Sequence, residues 1–159
     1  MHMSEFIATV VGAFLASIFG LIGSILIWHY QNIKDRKIII KTLHAELTNL
    51  KTSLQRIQAS IDQGIIKPGM ALQFTFLKYE TFSLERQKLY SFIPSDEMIT
   101  LESVFSTFKQ YDQLLKESPR QVEGSLQDSI VVFWSFYQAQ YQANLKNINQ
   151  CIQYLNKII

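Results

Sequence analysis

The stretch Phe6-Ile-Ala-Thr-Val-Val-Gly-Ala-Phe-Leu-Ala-Ser-Ile-Phe-Gly-Leu-Ile-Gly-Ser-Ile-Leu-Ile-Trp28 decides how the rest of the chain is read. It contains no ionisable side chain, and as an α-helix it extends about 34 Å, enough for a hydrocarbon core about 30 Å thick. A cleaved signal peptide would need basic residues before a shorter apolar run, whereas here they come after it. The spacing therefore predicts a transmembrane anchor over residues 1–30.

The flanks give the anchor a direction. Met1 to Glu5 contain no Lys or Arg, while Lys34, Arg36, Lys37 and Lys41 follow the apolar run closely. By the excess of basic residues on the cytoplasmic side, the N-terminus is expected outside and the remainder in the cytosol. Trp28 and Tyr30, with His29 between them, fall where interfacial aromatics gather. Along the anchor, Ala8, Gly12, Ala16, Gly20 and Ser24 recur four apart, a stripe that lets a second helix approach closely, so a homo-oligomer is expected within the bilayer.

Beyond the anchor the apolar period becomes that of an amphipathic helix. Ile33, Ile40, Leu43, Leu47, Leu50, Leu54, Ile57 and Ile61 follow an alternating three-four spacing interrupted only by Arg36. Such a seam suits a parallel coiled coil or one long helix of an intramolecular bundle over residues 31–63, and the later helices, which need a partner, favour the bundle. Asp62-Gln-Gly-Ile-Ile-Lys-Pro-Gly69 should end the helix and reverse the chain.

Residues 64–159 read as the rest of that helical domain. Phe74-Thr-Phe76 alternates like a strand, but Phe82, Leu84, Leu89 and Phe92 suit a short helix, expected from about Thr81. Ser95, as N-cap, with Asp96 and Glu97 in the first turn, announces a helix to about Glu117 whose apolar face is Leu101, Val104, Phe105, Phe108, Tyr111 and Leu115. After Ser118-Pro-Arg-Gln-Val-Glu-Gly124, a last helix buries Ile130, Trp134, Tyr137, Tyr141, Leu145, Ile148, Ile152 and Leu155. The expected fold is all-α: one N-terminal transmembrane helix followed by a cytosolic antiparallel helical bundle.

The chemistry expected of such a chain is binding. The 159 residues leave room for one membrane segment and one compact domain, and 15 basic against 13 acidic residues do not make a duplex nucleic-acid binder. His2, His29 and His44 stand without ligand-spaced neighbours, and no nucleophile motif or Gly-rich phosphate loop occurs. Neither catalytic nor metal-binding residues are expected, nor a cofactor. Asp96-Glu97 is explained by a helix start, and Glu80 with Glu85 by a solvated face. Cys151, the single cysteine, excludes an internal disulfide and reads as a small buried hydrophobe.

Basic residues interleaved with aromatics mark the most suggestive surface. Lys67, Lys78, Tyr79, Arg86, Lys88 and Tyr90 combine cations for phosphates with rings for bases, beside the plainer reading of an amphipathic helix with snorkelling side chains. The last helix is rich in amides: Gln138, Gln140, Gln142, Asn144, Asn147, Asn149, Gln150 and Gln153 suit a subunit interface first and base edges second.

This layout of an N-terminal membrane helix, a long helix from Ile33 and a compact helical domain resembles the membrane-anchored type III CRISPR ancillary effectors that sense cyclic tetra-adenylate. The resemblance implies a homo-oligomer in the bacterial inner membrane that binds a cyclic oligoadenylate and then disrupts the bilayer. It carries no binding residue over motif by motif. Two other readings stand beside it: a membrane-tethered scaffold docking a partner through the last helix, and a phage holin-like or exclusion protein whose membrane helix is the active part.

Overall fold

A computed structural model describes the backbone of residues 3–66, 80–117 and 126–159, and within them the side chains of residues 10–66, 81–116 and 131–159. Four helices account for nearly all of this: α1 (Met3–Asp62), α2 (Glu80–Leu89), α3 (Ser95–Glu117) and α4 (Leu126–Ile158). There is no strand among the described residues. Phe74-Thr-Phe76 and the stretch Ser118–Gly124, expected as a loop, lie outside them. The chain divides into two compact units, Met1–Ile38 and Ile39–Ile159.

In the first unit the helix turns nearly every described apolar side chain outward. Phe14 is 66% exposed and Phe19 70% exposed, which in water would be a large uncovered apolar surface. α1 contains an 18-residue window of mean hydropathy 2.5, none of it buried, so it is long and apolar enough to cross a membrane. A helix is the form that such a segment can take in lipid, because it satisfies its own backbone donors and acceptors. The Ser24 hydroxyl does likewise: Ser24 Oγ donates to the Gly20 carbonyl at 2.9 Å. Gly12 and Gly20 carry open space where a side chain would stand.

The second unit closes around one hydrophobic core to which all four helices contribute. From α1 come Ile39, Ile40, Leu43, Leu47, Leu50, Leu54 and Ile57, with Ile61 partly buried against them. The three-four spacing thus identified the inward face, but Ile33, placed at its head, is 42% exposed. Periodicity reports which face is apolar, not where a packing partner begins, and the buried seam starts at Ile39.

The end of α1 follows the reading of its glycine. Gly64 takes φ +70°, the Gly64 N–H donates to the Ile61 carbonyl at 2.9 Å, and the Ile65 N–H reaches back to the Ser60 carbonyl at 2.9 Å. These two bonds form a Schellman cap, which satisfies carbonyls that the last turn leaves open and needs a residue at ease in the left-handed region.

α2 begins within a residue of the expected Thr81 and is held at that end from outside, since the Thr81 N–H donates to Glu46 Oε1 on α1 at 3.0 Å. Its buried face is Phe82 and Leu89, seven residues apart; Leu84, about 200° round the helix from Phe82, is 79% exposed and does not line the core. Phe82 stacks on Phe105 of α3 with ring centroids 4.3 Å apart and planes 9° apart.

α3 spans Ser95–Glu117 as read, with a refinement at its start. The first helical bond runs from the Met98 N–H to the Pro94 carbonyl at 2.9 Å, which puts Pro94 in the cap position and Ser95 one step inside. Leu101, Val104, Phe105, Phe108, Tyr111 and Leu115 are all buried, joined by Met98.

On α4 the inward stripe is Phe133, Trp134, Tyr137, Asn144, Ile148, Cys151 and Leu155, while Tyr141, Leu145 and Ile152 are half-buried at its margin. Tyr111 sits at the centre of an aromatic cluster, its ring 5.6 Å from both Phe133 and Phe136 in edge-on arrangement. The Tyr137 hydroxyl reaches the Leu54 carbonyl of α1 at 3.3 Å.

Candidate functional site

The residues expected to hold a ligand divide by where they fall. Lys67, Lys78 and Tyr79 lie outside the described residues. Arg86, Lys88 and Tyr90 lie within α2 and the turn that follows it. That turn is tight: the Phe92 and Ile93 N–H groups both donate to the Leu89 carbonyl, at 3.1 and 2.8 Å, and Ser91 Oγ donates to the Lys88 carbonyl at 2.6 Å. It brings the end of α2 against the second turn of α3.

There the partner that sequence reasoning missed is Glu102. Its Oε1 accepts from Arg86 Nε at 2.7 Å and from the Tyr90 hydroxyl at 2.6 Å, and Arg86 Nη2 lies 2.5 Å from the same oxygen. Arg86 also stands 6.0 Å from the centre of the Tyr90 ring, a cation–π distance. The Tyr90 hydroxyl first, then the guanidinium, hold the Glu102 carboxyl below its ordinary range, and the pairing with Glu102 holds Arg86 firmly charged. No motif links positions 86, 90 and 102. The only signal was Glu102 next to the apolar Leu101, which sets it at the edge of the buried face.

Lys88 pairs with Glu85 one turn earlier, Nζ to Oε2 at 2.7 Å. Among the described residues of this surface, Arg86 and Lys88 are therefore already matched by carboxylates, so an anionic ligand has to displace Glu102 to use Arg86 and Tyr90. Three donors converging on one anionic oxygen are nonetheless a geometry that a phosphate oxygen can occupy in its place.

A second polar surface lies on α4. Gln142, Leu145, Lys146, Asn149, Gln150 and Gln153 line an open depression of about 490 Å³. Asn144, counted with the surface amides in the sequence, is not part of it: it is buried, and its Nδ2 donates to the Tyr111 hydroxyl at 3.0 Å. Its position seven residues after Tyr137 and four before Ile148 puts it on the buried stripe, and that spacing was the signal for it.

Burial raises several hydroxyls and the thiol of the core. The Tyr111 hydroxyl is pushed up to about 12 by burial, against which the Asn144 bond acts, and Tyr137 is also raised, chiefly by burial. The Cys151 thiol is pushed up to about 12, first by burial and then by the nearby Glu97 carboxylate. It is a neutral packing group, as its position on the stripe implies. Among the described residues, no group of three or more His, Cys, Asp or Glu side chains could hold a metal ion.

Of the small-residue stripe, Gly12, Ala16, Gly20 and Ser24 share one exposed side of α1, and the side chain of Ala8 lies outside the described residues. What the described residues define is an all-helical fold with one membrane-length apolar helix and, in the second unit, a hydrophobic core. No protein-family model matches the chain, no curated protein matches it, and no solved structure matches its fold.

Proposed function

We propose that the protein is a single-pass inner-membrane effector of antiviral defence, oligomeric through its membrane helix, whose cytosolic domain binds a cyclic oligoadenylate and thereby triggers disruption of the bilayer. The observation that carries the reading is α1 itself. One unbroken helix, Met3–Asp62, holds both the outward-facing apolar run and the seam of the second unit's core. A ligand that favours one arrangement of the core then biases the element that also enters the membrane. The activity is gating, without turnover.

Three further observations support parts of this reading. Glu97, at the start of α3, acts on Cys151 and Tyr154 near the end of α4, while Tyr111, late in α3, meets Phe133 and Asn144; those pairings fit antiparallel neighbours in a bundle. The basic residues on the C-terminal flank of the apolar run favour a cytosolic second unit. The open space over Gly12 and Gly20 fits the close approach of a second copy.

A scaffold that docks a partner protein is favoured by one feature only, the amide-rich depression on α4, whose one charged lining residue is Lys146. Binding separates the two readings. The full chain in detergent is mixed with radiolabelled cyclic oligoadenylates of several ring sizes, cyclic tetra-adenylate among them, with linear oligoadenylate as control, and retardation in a gel is measured. The effector reading expects ring-selective binding that Arg86→Glu abolishes and release of dye from vesicles when ligand is added. Binding of no ring defeats it in favour of the scaffold, and binding that survives Arg86→Glu moves the site away from α2.

A further inference from the structure

Where the apolar run of α1 ends, the helix sets a short ladder of exposed side chains. Tyr30, Lys34 and Lys37 follow one another at four and then three residues, so they share one side of the helix. All three are exposed, and Trp28, which closes the apolar run, is 65% exposed. Lys34 stands about 9 Å and Lys37 about 14 Å beyond Trp28 along the axis, where a bilayer places its headgroups and their immediate surface. Asp35 lies about 100° round the helix from Lys34 and so does not oppose the pair.

We infer that Tyr30, Lys34 and Lys37 form a recognition surface for acidic phospholipid headgroups at the cytosolic boundary of the membrane helix. Helical side chains tilt toward the N-terminus, which here is toward the bilayer, and a lysine stem is long enough to bring its ammonium back to the phosphate level. The Tyr30 ring gives the ladder an amphipathic foot between acyl chains and headgroups. The charge selects the occupant: two ammonium groups on one side of a helix attract an anionic headgroup and gain little from a zwitterionic one. The inference rests on the membrane-spanning reading of α1 and is independent of any nucleotide ligand.

Trp28 supplies the probe. The full chain is reconstituted into phosphatidylcholine vesicles containing a minority of phosphatidylglycerol, with bromine carried on the acyl chains of one lipid or the other, and quenching of tryptophan emission is measured. Trp28→Phe identifies the Trp28 component, since Trp134 is buried in the core. Brominated phosphatidylglycerol is expected to quench Trp28 as if enriched about fivefold over its share of the bilayer, the effect of about one well-placed lysine. The enrichment is expected to fall to the bulk value in Lys34→Gln/Lys37→Gln and to weaken at high salt. Quenching in bulk proportion by the unaltered chain, or enrichment that the double variant retains, overturns the inference while leaving the membrane helix in place. Absence of quenching by either brominated lipid overturns both.

Discussion

Asn144 and Tyr111 offer the sharpest test of the core. Asn144 Nδ2 donates to the Tyr111 hydroxyl at 3.0 Å with Asn144 3% exposed, so removing the acceptor strands a buried donor. Tyr111→Phe keeps the ring and its edge-on contacts with Phe108 and Phe133 but deletes the oxygen. The stranded amide should cost about 1–3 kcal/mol, because it loses its partner without regaining water. For a protein of this size that is a fall of about 2–12 °C in melting temperature. Replacing both groups, as Tyr111→Phe/Asn144→Leu, removes the unsatisfied amide and should recover most of the loss. The assay is thermal unfolding of the full chain in detergent, followed by Trp134 emission in a Trp28→Phe background. Strictly additive effects of the two substitutions would refute the pairing, since residues sharing a buried bond couple and independent ones do not.

Leu47→Ala, at a fully buried position of the α1 seam, should destabilise by about 2–5 kcal/mol in chemical denaturation, whereas Leu84→Ala, at a position 79% exposed, should change stability by less than about 0.5 kcal/mol. Cys151 should resist maleimide labelling in the folded chain and react fully once urea unfolds it, a contrast readable by mass spectrometry. Burial raises the Cys151 thiol and the Tyr111 hydroxyl to about 12 from ordinary values of 9.0 and 10.0, so the unfolded chain loses these protons first. Stability should therefore be intact below pH 9 and fall as pH rises from 9 toward 12, read as a declining urea midpoint. Glu102 acts at the other end of the scale: its carboxyl is held low in the fold, so its contribution is present above the ordinary carboxylate value and lost as pH falls through the lowered one. Glu102→Gln should flatten that acid limb in the same measurement.

The elements of the fold were legible because they are written in local patterns. An uncharged apolar run longer than a bilayer is wide, the three-four spacing on α1, α3 and α4, and the glycine at position 64 each reflect helix geometry acting over neighbouring residues. Those patterns do not say where a packing partner begins. Ile33 continues the period of the seam yet is exposed, and Leu84 is apolar yet faces solvent because Phe82 and Leu89 set the buried side of a ten-residue helix.

The sequence by itself determined that the long apolar-patterned segments are helices, that the first of them can enter a membrane, and which side of each long helix is buried. Only the tertiary structure decided that Glu102 meets Arg86 and Tyr90, that Glu46 anchors the start of α2, and that Asn144 belongs to the core. The physical reason is range. A helix face is fixed by residues three and four apart, whereas a hydrogen bond between positions 46 and 81, or 111 and 144, exists only after hydrophobic burial has brought their helices together.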